Sequence, residues 1–129
     1  MDGLQARGAQ AYYQTQIQSR SPLELVVMLY DGALRHLGQA RRANAEGDAG
    51  GRREALSRAL AILGELQASL NMHEGREIAS SLDGLYAYIT SRLLEVATRK
   101  DASAIDEALR LLTTLRDAWA EVATPKAAQ

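Results

Sequence analysis

The sequence predicts an all-α fold, an antiparallel up-down-up-down four-helix bundle with a short N-terminal cap segment, and three observations carry that expectation. Of 129 residues, 23 are Ala and 19 are Leu, while Val and Ile together supply only nine, the vocabulary of a helical chain. Proline stands only at Pro22 and Pro125, so the interior holds no obligatory helix breaker. Apolar residues then recur at steps of three and four, and caps and glycines divide the interior into four segments joined by short connections, which favours antiparallel neighbours.

Residues 1–20 are polar and are expected to form a flexible cap segment outside the bundle, which is assigned to residues 21–123. Ser21-Pro22-Leu23-Glu24 reads as a capping box, with Pro22 at the first helical position. The helix it opens runs to about Ala45, where Gly47, Asp48, Gly50 and Gly51 loosen the chain. A second segment, about Arg53 to Leu70, places Leu56, Ala59, Leu63, Leu66 and Leu70 on one stripe. A third, about Glu77 to Thr98, aligns Ile78, Leu82, Leu85, Ile89, Leu93 and Val96. The fourth, Ser103 to Ala123, has the cleanest stripe: Ile105, Ala108, Leu112, Leu115, Trp119 and Val122. Pro125 closes it, leaving 124–129 as a tail.

The first helix carries more apolar surface than one core needs. At about 100° per residue, Leu23, Val26, Tyr30, Ala33, Leu34 and Leu37 share the core side, whereas Leu25, Met28 and Leu29 lie well away from it, with Gly32 beside them. A helix apolar on two sides needs cover on both. Ile62, Tyr88, Leu94, Leu111 and Ala118 are similarly off the stripes of their helices. Two covers fit this surface and need not exclude each other: the N-terminal segment, with Ala11, Tyr12, Tyr13 and Ile17, folded back over it, and a partner helix presenting apolar residues at i, i+3, i+4 and i+7.

Other classes of function are poorly served. A formal charge of −1 offers no footprint for nucleic acid or an anionic membrane, and no stretch approaches the length of a membrane span. The absence of cysteine removes disulfides, thiolate metal sites and a cysteine nucleophile. No Glu-x-x-His pair, GxSxG, Walker loop or GxGxxG occurs, so no catalytic residue, metal site or cofactor is expected. His73 and Glu77 are four apart but have no second cluster to complete a metal site; Arg41, Arg42, Arg52 and Arg53 read as a solvated turn. Two alternatives to a binding module stand: a phosphotransfer bundle using His36, and a self-associating structural bundle whose extra face is covered by a second copy. The expected location is the cytoplasm.

Taken in order along the chain, several pieces resemble one family. Ser21-Pro22-Leu23-Glu24-Leu25 runs into Met28-Leu29-Tyr30-Asp31-Gly32-Ala33. Glu46-Gly47-Asp48, Gly75-Arg76-Glu77-Ile78-Ala79, Leu82, Leu85-Tyr86, Arg92-Leu93-Leu94 and Asp117-Ala118-Trp119 follow. The ordered set, over about residues 11 to 123, is similar to FliS, the flagellin-specific export chaperone of bacteria. The resemblance implies a cytoplasmic, non-enzymatic four-helix bundle that binds the disordered C-terminal segment of flagellin in apolar grooves, prevents premature polymerisation and delivers it to the type III flagellar export apparatus. It further implies an N-terminal cap around Tyr12, Tyr13 and Ile17 that occupies a groove without flagellin, and an Ala11-Tyr12 element that docks the loaded complex on the cytoplasmic domain of the export gate. Weak self-association is compatible with that role.

Overall fold

The computed structural model describes residues 21–99 and 101–123, the side chain of Arg99 excepted, as four helices: α1 Pro22–Ala45, α2 Ala49–Ala68, α3 Met72–Arg99 and α4 Ser103–Ala123. The expected cap segment, with Ala11, Tyr12, Tyr13 and Ile17, and the C-terminal tail lie outside the described residues. The all-α bundle expectation holds. α1 packs on α2 and α4, and α3 completes the ring against the same two helices, leaving α1 and α3 on a diagonal.

Local chemistry sets each boundary. Ser21 caps α1 through its Oγ, which accepts the Glu24 amide at 3.2 Å, and Pro22 follows where no amide is needed. α1 ends in a Schellman turn: Gly47, at φ +74°, sends its amide to Asn44 O, and the Asp48 amide reaches Ala43 O at 2.8 Å. Asp48 then caps α2, accepting the Gly51 amide at 2.9 Å. α2 therefore begins at Ala49, earlier than the Arg53 suggested by the glycines. Those glycines are helical because the Asp48 carboxylate folds over the first turn, in the space a side chain at Gly51 would take.

α3 has an irregular start. Asn71 caps a single turn, its Oδ1 accepting the Glu74 amide at 3.0 Å, and Arg76 then breaks the helix at φ 46°, ψ −118°. Regular helix resumes at about Glu77, the start expected from the stripe. Asp101 opens α4 by accepting the Ser103 amide at 3.2 Å.

The core runs along the bundle axis through Tyr30, Leu37, Leu63, Leu66, Tyr86, Ile89, Leu93, Val96, Ile105 and Leu112. α1 and α2 approach most closely, and both bury small residues: Ala33, Ala40 and Ala43 on α1, Ala55 and Ala59 on α2. α3 stands further out, held off by Tyr86, Ile89, Leu93 and Val96. Two residues of the expected core stripes are largely exposed, and Leu23 lines an open pocket instead of packing in the core. Ile78 is 71% exposed and Val122 65%. Both sit at the end of the bundle where α3 breaks and α4 finishes, and there Ala79 takes the inward position instead.

Candidate binding surface

Three apolar features surround α3. The first is an end cavity of about 220 Å³ between Leu23 and Val26 of α1, Leu66 and Leu70 at the end of α2, Ile78, Leu82 and Tyr86 of α3, and Trp119 of α4. The Tyr30 and Tyr86 hydroxyls pair beneath it, their ring centroids 6.4 Å apart. Burial raises the pKa of both phenols; for Tyr30, hydrogen bonding to Tyr86 and Trp119 pulls the other way.

The second is the groove between α2 and α3. Leu56, Ser57 and Leu60 face Leu93, Leu94 and Ala97 across about 210 Å³, with Arg53 at one end. Gln67 Nε2 donates to Asp83 Oδ1 at 2.8 Å and bridges the two helices between this groove and the end cavity. Gly64 and Gly84 stand over open space, since a Cβ at either would meet nothing within 4 Å.

The third is the outer face of α3 itself. From Ile78 to Ser91 the only charged residue is Asp83, and the exposed positions are Ile78, Ser80, Ser81, Gly84, Ala87, Tyr88 and Ser91, leading to Leu94 at 57% exposure. The solvent faces of α1 and α4 carry Asp31, Arg35, Arg41 and Arg42, and Asp106, Arg110, Asp117 and Glu121. An exposed helix face depleted of charge is the composition of an interface core rather than of ordinary surface.

On its α4 side, α3 is fixed by a polar clamp. Arg92 Nε donates to Glu107 Oε1 at 2.9 Å, and Nη1 reaches Glu95 at 3.2 Å and Asp101 at 3.3 Å. Tyr88 OH donates to Glu107 at 3.0 Å. Hydrogen bonding from Arg92 holds Glu107 below the usual carboxylate range; Asp101 is lowered by the Ser103 hydroxyl first and Arg92 second. Glu107 and Asp101 in turn raise the Arg92 pKa.

The residues singled out from the sequence fall into three sets. Leu94, Tyr88 and Ala118 are exposed, although the Tyr88 hydroxyl is held by Glu107. Leu25 and Met28 are half-buried. Leu29, Ile62 and Leu111 pack against the core, and Gly32 is buried where an added Cβ would stand 3.1 Å from Ile62 Cδ1. The second apolar face of α1 is thus partly taken up by α2, whose alanines let it sit close. The remaining exposed positions of this face, Ser80, Ser81, Gly84, Ala87 and Ser91, were not singled out by apolar periodicity; their signal is the missing charge. His36 is half-buried, its Nδ1–H donating to Gln39 Oε1 at 3.0 Å. Arg76 breaks the helical spacing that would bring His73 and Glu77 together. Among the described residues no helix is long and apolar enough to cross a membrane.

The sequence profile of a family described as Flagellar protein FliS matches residues 5–126. The chain belongs to the FliS family. The chain is 41% identical over 127 residues to the flagellar secretion chaperone FliS of Salmonella typhimurium, covering 95% of this chain and 93% of the relative. For the FliS of Escherichia coli the figures are 36% over 121 residues, 90% and 89%; for that of Bacillus subtilis, 32% over 109 residues, 84% and 80%. FliS is a family of flagellar secretion chaperones and not of enzymes. That accounts for a chain whose best-formed surfaces are apolar grooves without catalytic groups, and it leaves His36 no phosphotransfer role to fill.

Proposed function

We propose that this FliS chain binds the disordered C-terminal segment of flagellin, keeps it from polymerising in the cytoplasm, and delivers it to the type III flagellar export apparatus. The observation that carries the reading is the uncharged outer face of α3 with an apolar groove on its α2 side. A disordered client bears its ordering cost at the moment of binding, so it needs a long shallow surface to bury amphipathic turns rather than a deep pocket. Leu94, Tyr88 and Ala118 touch the client directly; Leu25 and Met28 extend the surface onto α1. Leu29, Gly32, Ile62 and Leu111 shape it from below. The N-terminal segment competes for the surface through Tyr12, Tyr13 and Ile17, and Ala11-Tyr12 docks the loaded complex on the cytoplasmic domain of the export gate. Weak self-association through the same surface is displaced by client.

Gel filtration of the full chain with a flagellin C-terminal segment and the gate's cytoplasmic domain tests this. A ternary complex that forms only when flagellin is present is expected. Gate binding that ignores flagellin, or no complex with flagellin, contradicts the reading.

A further inference from the structure

The uncharged face of α3 is built of small residues along its middle and has a large one at each margin. At about 100° per residue, Ser80, Gly84, Ala87 and Ser91 lie between Tyr88, on the side of α4, and Leu94, on the side of α2. Tyr88 is 46% exposed, yet its ring is not free to turn. The hydroxyl stands 3.0 and 3.1 Å from the two carboxylate oxygens of Glu107 on α4. That carboxylate is itself held: it accepts Arg92 Nε at 2.9 Å, and Arg92 is tied through Nη1 to Glu95 and Asp101. The Glu107 and Arg92 side chains are only 26% and 22% exposed, so an exposed aromatic ring is anchored on a pair that is mostly buried.

A phenol hydroxyl at the surface finds hydrogen-bond partners in water, so the bond to Glu107 adds little net stability; its main effect is to fix where the ring stands. We infer that Glu107 is a positioning residue for client binding: from α4 it presets the Tyr88 ring at the margin of the α3 face, so that an apolar client turn packs against a ring already in place. Ordering a surface side chain at the moment of binding costs affinity, and the tether moves that cost into folding. Arg92 serves the same end one step back, by keeping the carboxylate aimed at the hydroxyl. The inference rests on the reading that the client lies on this face of α3.

A double-mutant cycle tests it, with a flagellin C-terminal segment titrated into the full chain at a temperature where circular dichroism shows every variant folded. Tyr88→Phe keeps the ring and loses the tether; Glu107→Ala removes the anchor. Each should weaken binding about three- to tenfold. The double variant should bind no more weakly than either single one, because one tether is lost in all three. Glu107→Gln keeps an acceptor for the hydroxyl without the charge. It should regain most of the affinity lost in Glu107→Ala while still lowering the urea midpoint, a split that a purely structural clamp would not produce. Unchanged affinity in both single variants would overturn the inference. So would additive losses, the outcome if the hydroxyl bonds the client itself, or a Glu107→Gln variant as weak as Glu107→Ala. Binding that Leu94→Asp weakens but this cycle leaves untouched overturns the positioning role alone; no binding by the original chain overturns the proposed function, and the positioning role with it.

Discussion

The Tyr30 hydroxyl of α1 is hydrogen-bonded to the Tyr86 hydroxyl of α3, across the diagonal of the bundle. Both rings are buried, and the pair is a polar link between two helices that lie across the bundle from each other. It fixes how deeply α3 sits, and thereby the floor of the end cavity.

Removing either hydroxyl strands the other in an apolar site. Tyr86→Phe and Tyr30→Phe should each cost about 1–3 kcal/mol in urea unfolding. The double variant should cost clearly less than the sum, since no hydroxyl is then left unpaired. Additive costs would mean that the pair contributes little.

The same two phenols set an alkaline limit. Burial raises their pKa, so the unfolded chain loses these protons first as pH passes about 10. Their contribution is complete below that pH and declines above it. Tyr30→Phe/Tyr86→Phe should flatten the fall in urea midpoint between neutral and alkaline pH; an unchanged slope would assign it elsewhere.

The Arg92 clamp sets the acid limit. Glu107 and Asp101 have lowered pKa values, so the stability they contribute is present above the ordinary carboxylate range, about pH 4, and is lost as pH falls through their depressed folded values. Glu107→Gln should lower the midpoint at neutral pH and make the acid fall shallower. Parallel curves for the variant and the original chain would count against the clamp.

Arg76 sits at φ 46°, ψ −118°, a region that suits glycine. Arg76→Gly should raise stability by about 1 kcal/mol. Gly75→Ala should lower it, because the new Cβ would stand 2.7 Å from Ala79 Cβ. The reverse order in thermal melts would show that the break is not strained.

Much of this architecture was legible in the sequence because its signals are local. Ser21-Pro22 and the Ser103 start mark helix ends through hydrogen-bonding side chains, and the α4 stripe from Ile105 to Leu112 follows directly from helical period. The start of α2 was not legible, since Gly50 and Gly51 read as a loop until the Asp48 carboxylate is seen to need their room. Ile78 and Val122 keep the period but lie past the depth to which the bundle is covered, which depends on where four helix ends meet. The groove was half legible. Leu94 stands out as an apolar residue off its stripe, whereas Ser80, Gly84, Ala87 and Ser91 offer only an absence of charge. The second face of α1 was visible, but its partial cover by α2 depends on how closely alanines let two helices approach.

Leu29 and Leu94 separate core from surface. Leu29→Asp should destabilise the bundle by about 2 kcal/mol or more, because Leu29 packs against the core. Leu94→Asp, at an exposed position, should leave the urea midpoint nearly unchanged and weaken client binding. A folded, non-binding Leu29→Asp alongside a fully binding Leu94→Asp would move the client surface from α3 to α1.

Titration calorimetry of a flagellin C-terminal segment into the full chain, at several temperatures and with Leu94→Asp in parallel, bears most directly on the chaperone reading. The account predicts one-to-one binding with a negative heat-capacity change, as apolar turns are buried against α3, and clear weakening by Leu94→Asp. No heat of binding, or binding indifferent to Leu94→Asp and without a heat-capacity change, would contradict it.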